Sequence, residues 1–127
     1  MIKTKYIYAP RETSDGTRIL IARKWPRGVR KAHFDEWIKE LSPEDDTLKK
    51  WLDSKRTEEG WKKYLSKFLP QIKASNAAGK IEELRERSKK GEVITLLCHC
   101  RSGEHCHRYI IKSKINGSSQ VIDWDQV

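Results

Sequence analysis

Apolar and polar positions alternate along this chain in patterns that separate strands from helices. Residues 93–98, VITLLC, form a continuous apolar run without alternation. That pattern marks a strand buried on both faces, hence an inner strand of a covered sheet. Residues 2–9 predict a strand through the β-formers Tyr6, Ile7 and Tyr8, and residues 18–22 predict a second through Ile19, Leu20, Ile21 and Ala22. The segment between them, 10–16, is rich in Pro, Ser, Asp and Gly and reads as a turn. It is too short for a parallel crossover, so these two strands are predicted to be antiparallel. Pro26, in Trp25-Pro26-Arg27-Gly28, cannot donate to a ladder and closes the second strand.

Helical periodicity follows. Phe34, Trp37, Ile38 and Leu41 fall at i, i+3, i+4 and i+7 and predict a first helix. Ser42-Pro43 restarts the chain as cap and first helical residue, with Glu44, Asp45 and Asp46 placed where the helix dipole favours them. Leu48, Trp51 and Leu52 are its apolar face. Thr57 caps a third helix, whose stripe is Trp61, Tyr64, Leu65, Phe68, Leu69 and Ile72, with Pro70 as a kink point. Another runs over about 77–90 and stops at Lys89, Lys90 and Gly91. After 93–98 comes an apolar helix containing Tyr109, Ile110, Ile111 and Ile115. Asn116-Gly117 then turns the chain into a short last strand at 121–124. These elements predict one α/β domain over residues 1–127. Its mixed, mostly parallel sheet of about four strands would carry helices on both faces. Ligands of such sheets bind beyond the carboxyl ends of the strands.

Charge narrows the class of partner. The chain of 127 residues has a formal net charge of +9. Residues 1–33 hold nine basic and two acidic side chains, and the densest part is Arg18, Arg23, Lys24, Arg27, Arg30 and Lys31. Such a cluster concentrates anions, whether phosphate metabolites or nucleic acid, or else serves as a solvated face. No apolar run of about 18 residues is present, which argues against a membrane span. Three cysteines with no apolar leader at the start argue against a disulfide framework and for a reducing, cytoplasmic setting.

The stretches YAPRETSDGTRILIARKWPRGVRK, FDEWIKELSPEDDTLKKWL, WKKYLSKF and ITLLCHCRSGEHCHR cover nearly the whole chain. In that order they resemble the domain-of-unknown-function family 488, particularly its YeaO-like branch, with the Cys-His-Arg element of the wider family. The resemblance implies a compact α/β domain and no established activity.

Residues 98–108, CHCRSGEHCHR, carry the candidate chemistry. One reading is a nucleophilic thiolate: a strand–loop–helix with cysteine and arginine resembles phosphatase (H-C-x5-R) and rhodanese (C-R-S-G-x-R) loops. The closing arginine is missing, since Cys106 and His105 occupy its two positions and Arg108 comes later. A second reading is a zinc or other soft-metal site, although Cys98-x-Cys100 is not the usual knuckle and no second pair exists. The third is an anion crevice in which Arg23, Arg27 and Arg108 converge on one rim, with Trp25 and Cys98 beside them. Trp25 could equally be packing, and Cys98 a small buried hydrophobe. This third reading makes the protein an anion-binding domain for a phosphorylated or nucleotide-like small molecule. It would be an enzyme where Cys106, with His107, is reactive. The rivals are a nucleic-acid-binding module using residues 18–31 and the metal site. No cofactor is indicated.

Overall fold

The computed structural model describes residues 1–101, 103–118, 121 and 125. Four strands, β1 (Ile2–Tyr6), β2 (Thr17–Leu20), β3 (Glu36–Trp37) and β4 (Ile94–Cys98), form one sheet in the order β1-β4-β2-β3. Four α-helices join them: α1 (Asp45–Asp53), α2 (Glu58–Ile72), α3 (Ser75–Lys89) and α4 (His107–Asn116). This is the single-domain α/β fold that the patterns predict. The apolar run of β4 is its inner strand, buried at every residue. The strand expected at 121–124 falls, Val121 apart, outside the described residues.

Two predictions about the sheet are corrected. All three strand pairings among the described residues are parallel, with no antiparallel member among them. β1 and β2 are not an antiparallel pair but lie on either side of β4, each parallel to it. The connection, residues 7–16, crosses β4 without a helix, using a short 3-10 turn at Thr13–Asp15. Side chains beneath hold it down. Thr95 Oγ1 donates to the Asp15 carbonyl (2.7 Å) and Lys5 Nζ donates to the Pro10 carbonyl (2.7 Å).

Alternation along the strands then splits the core in two. Ile2, Ile19, Ile21, Ile94, Leu96 and Cys98 face one side, where all four α-helices pack through residues such as Trp51, Phe68, Leu84 and Ile111. Ile7, Leu20, Ala22 and Leu97 face the other, covered by Phe34, Val29 and Trp37. The second face thus carries loops and 3-10 turns rather than the α-helices expected there. The helix predicted from Phe34 to Leu41 is absent. The edge strand β3 and a 3-10 turn at Lys39–Leu41 occupy that stretch. Its four apolar residues serve two cores: Phe34 and Trp37 the loop side, Ile38 and Leu41 the helix side. Thr57 caps α2 as predicted, accepting from Gly60 N at 3.1 Å. No helix among the described residues is long and apolar enough to cross a membrane.

Gly16, where the crossover enters β2, sits at φ 64° with ψ −133°. A Cβ there would lie 2.3 Å from the Val93 carbonyl oxygen, which is backbone and cannot yield cheaply. Gly16→Ala combines a forbidden conformation with overpacking and is expected to cost at least about 3 kcal/mol in equilibrium urea unfolding. A loss below about 1 kcal/mol would mean that the crossover is free to shift.

Candidate functional site

Because β1 and β2 each run parallel to β4, the three strands end at one edge. Tyr6, Ala22-Arg23-Lys24 and His99-Cys100-Arg101 emerge there and line a cavity of about 380 Å³. Arg56 and Glu104 close its far side, and Pro43, Leu48 and Leu52 supply an apolar wall. Arg23 is anchored by donating Nε to the Pro43 carbonyl (2.9 Å) and Nη2 to the Ser42 carbonyl (3.3 Å). A larger cavity, about 580 Å³, lies between α1 and α2 and has no cysteine or histidine in its lining.

Behind the crevice the three thiols meet. Cys98 ends β4, Cys106 caps α4, and Cys100 stands between, with all three Sγ atoms within 4.8 Å of one another. Cys98 and Cys106 are buried with their sulfurs 2.7 Å apart, whereas Cys100 is half-buried and faces the cavity. None is in a disulfide.

Arg108 organises this cluster from below. It is fully buried on α4. Its Nη1 donates to the Cys100 carbonyl (2.6 Å), Cys98 Sγ (2.9 Å) and Cys106 Sγ (3.4 Å). Nη2 donates to Tyr109 Oη (3.0 Å) and Asp125 Oδ2 (3.0 Å), and Nε to Asp125 Oδ1 (3.2 Å). Burial alone would raise the Cys98 pKa. Hydrogen bonds from the Cys100 and Cys106 thiols and the nearby charge of Arg108 instead hold it well below the ordinary thiol value. The other two move the opposite way. Although its bond to Cys106 favours ionisation, Cys100 is pushed up to about 12 by its bond to Cys98, by burial and by the Cys98 charge. Burial and the same neighbours raise Cys106 well above the usual value. Cys98 is therefore the sulfur of the three that ionises first.

His107 Nε2 lies 2.5 Å from the Ile21 carbonyl, which can only accept, so Nε2 bears the hydrogen. Nδ1 is then an acceptor, 3.7 Å from Cys106 Sγ. Burial lowers the His107 pKa and keeps the ring neutral.

The structure thus brings together Cys98, Cys106, His107 and Arg108, with Arg23 on the crevice wall. The common rim expected of Arg23, Arg27 and Arg108 is not formed. Arg108 points inward to the thiols, and Arg27 is an exposed loop residue whose carbonyl accepts from Tyr8 Oη at 3.1 Å. Trp25 packs against Phe34 and Trp37, with ring centroids 5.1 and 5.5 Å away, and donates Nε1–H to the Val29 carbonyl. Arg18 leaves the basic surface altogether, buried against Asp15. The thiol whose pKa is lowered is Cys98, not the Cys106 that the sequence reading makes reactive. Sequence reasoning missed Lys24, Arg56, Cys100 and Arg101 as crevice residues. The adjacency of Cys100-Arg101 to the end of the apolar run was a usable signal. Nothing in the sequence pointed to Arg56.

A parallel α/β sheet with a thiol cluster at its carboxyl edge is the class that fold and site define. A family model described as "Active DUF488-N3 subclade" matches residues 2–119, and the chain belongs to that family. It is 31% identical over 112 residues to the uncharacterized protein YeaO of Escherichia coli (strain K12), covering 87% of this chain and 92% of YeaO. It is 25% identical over 118 residues to the uncharacterized protein Mb3100c of Mycobacterium bovis, covering 91% and 94%. No solved structure matches the chain.

Proposed function

We propose that the protein is a thiol-dependent enzyme that holds a small anionic molecule, phosphorylated or nucleotide-like, in the crevice at the carboxyl edge. One observation carries this reading. The half-buried Cys100 stands on the wall of a cavity where Arg23, Lys24, Arg56 and Arg101 gather, its sulfur within 4.8 Å of Cys98 Sγ, whose pKa is held low. Of these cations, only Arg56 has an ion-pair partner among the described residues, Glu104 at 3.6 Å. An anion in the cavity is balanced by guanidinium and ammonium groups and delivered beside a nucleophilic sulfur. Of the catalytic pair read from the sequence, His107 lines the crevice beside Cys100, and Cys106 lies behind that pocket-facing thiol.

The metal alternative meets a physical objection. Three convergent thiolates suit a soft cation, but the Arg108 guanidinium already lies 2.9 Å from Cys98 Sγ and 3.4 Å from Cys106 Sγ. A divalent ion would have to share that space with a fixed positive charge. The nucleic-acid alternative keeps Lys24, Arg27, Arg30 and Lys31 as exposed cations. Trp25 packs against Phe34 and Trp37 yet stays 44% exposed, so this reading also keeps an open aromatic face.

Alkylation tests the proposal. Iodoacetamide is expected to label Cys100 before Cys98 and Cys106. Adenosine monophosphate or inorganic phosphate is expected to slow that labelling. The double change Lys24→Ala/Arg101→Ala should weaken this protection by about tenfold, corresponding to the ~1.5 kcal/mol of a charged hydrogen bond. Labelling that is indifferent to both anions at millimolar concentration would remove the crevice from the function.

A further inference from the structure

We propose that the reaction at this site is thiol–disulfide exchange, with the disulfide of a small anionic thiol as substrate and Cys98 and Cys106 as the pair left oxidised. This inference rests on the thiol-dependent reading above and adds its reaction class and substrate. Covalent transfer of an acyl or phosphoryl group needs one nucleophilic sulfur, and two more thiols beside it have no task in that chemistry. Disulfide exchange needs them, because the mixed disulfide formed first must be resolved by a neighbouring thiol. The arrangement divides that labour. Cys100 is the one sulfur of the three that faces the cavity. Cys98 and Cys106 lie behind it with their sulfurs 2.7 Å apart and 1% and 3% of each residue exposed, out of reach of bulk thiols.

The steps balance in atoms and charge. Cys100 passes its proton to the Cys98 thiolate along the hydrogen bond joining them. The Cys100 thiolate attacks one sulfur of RS–SR. A bond forms between Cys100 and SR, the S–S bond breaks, and the departing RS⁻ takes the proton from Cys98. The restored Cys98 thiolate attacks Cys100 Sγ and expels the second RS⁻, leaving a Cys98–Cys100 bridge. That RS⁻ takes the proton of Cys106, whose thiolate attacks Cys98 Sγ and releases Cys100 as the thiolate. One substrate disulfide is reduced to two thiols, two protein thiols are oxidised to one disulfide, and one negative charge is conserved in the site, on a protein sulfur or on the departing RS⁻. Arg108 stays within hydrogen-bond reach of Cys98 and Cys106, so the charge is compensated directly whenever it rests on either of those sulfurs. The basic lining selects the substrate, since Arg23, Lys24, Arg56 and Arg101 favour a disulfide carrying carboxylates or phosphates over a cationic one.

The test exposes the reduced, full-length protein to glutathione disulfide, which is anionic, or to cystamine, which is cationic. Remaining thiols are blocked with N-ethylmaleimide and the peptides mapped by mass spectrometry. Glutathione disulfide is expected to yield a Cys98–Cys106 bridge with Cys100 left free to be blocked, at least about tenfold faster than cystamine, in keeping with electrostatic selection. Lys24→Glu/Arg101→Glu should abolish that preference. Cys106→Ser should stop at a Cys98–Cys100 bridge, and Cys98→Ser, which removes the base that activates Cys100, should slow the first attack. If the serine variants do not fold, the wild-type time course still decides, because it reads the final bridge directly. Absence of a Cys98–Cys106 bridge, or equal rates for the two disulfides, overturns the inference. If anions still protect Cys100 from iodoacetamide in that case, the crevice stands and only the exchange chemistry falls.

Discussion

Arg108→Ala is expected to lower stability by about 3–5 kcal/mol, the usual penalty for removing one partner of a buried charge network. The guanidinium is fully buried and every donor nitrogen is engaged, with Asp125, the Cys98 thiolate, the Cys100 carbonyl and Tyr109 as acceptors. Alanine strands a carboxylate and a thiolate without a counter-charge and leaves a carbonyl unpaired. Arg108→Lys restores charge but not the planar fork that reaches the carboxylate and the sulfurs together, so it should recover only part of the loss. Urea unfolding measures both. A second readout separates packing from electrostatics: in any variant that folds, the pH at which Cys98 ionises, followed by the ultraviolet absorbance of the thiolate, should move upward. Near-wild-type stability for Arg108→Ala would show that the thiol cluster stands without it.

On the opposite face, Asp15→Ala should cost about as much, again about 3–5 kcal/mol, because it leaves Arg18 buried and unpaired. Arg18 Nη1 donates to Asp15 Oδ2 at 2.6 Å, with side-chain exposures of 0% and 3%. Asp15 also accepts from Glu12 N (2.9 Å) and Lys5 Nζ (3.1 Å). Burial acts to raise the Asp15 pKa, but these donors bring it below the ordinary carboxylate value. Asp35 is lowered too: burial opposes the shift, and the Arg18 backbone N–H and Arg11 produce it. Glu92 is lowered chiefly by its hydrogen bond from Arg87. A carboxylate with a depressed folded pKa stabilises the protein above its unfolded pKa, and that contribution is lost as pH falls through the folded value. Stability should therefore hold from neutral pH to about pH 5 and fall steeply below about pH 4. Asp15→Asn, less stable at pH 7, should show a shallower acid slope. An unchanged slope would take Asp15 out of the acid transition.

Much of this architecture was legible from residue order. The unbroken apolar run of residues 93–98 allowed one place, an inner strand. The stripe from Trp61 to Ile72 behind Thr57 allowed one helix, and Gly91 and Gly117 closed α3 and α4 where positive φ is needed, at 98° and 68°. These are local demands, met by hydrogen bonding and burial within one element. The stretch 34–41 was not legible, because a helix turning one stripe to one core and a chain crossing a sheet edge to serve two cores place apolar residues alike.

The candidate site divides the same way. Its location at the strand ends, and the membership of Cys98, Cys106, His107 and Arg108, followed from an apolar strand running into a Cys/His segment and then a helix. Which thiol is ionised did not follow. Sequence treats an arginine as a group that seeks solvent or an exposed anion, and so directed Arg108 outward to share a rim with Arg27. In the folded chain α4 is enclosed along most of its length, with seven of its ten residues buried. Asp125, distant in sequence, and the sulfurs of Cys98 and Cys106 offset the desolvation of the guanidinium there. The charge of Arg108 consequently acts on Cys98 in a low-dielectric interior, and only the tertiary arrangement could decide that, because the strength of a charge depends on what surrounds it.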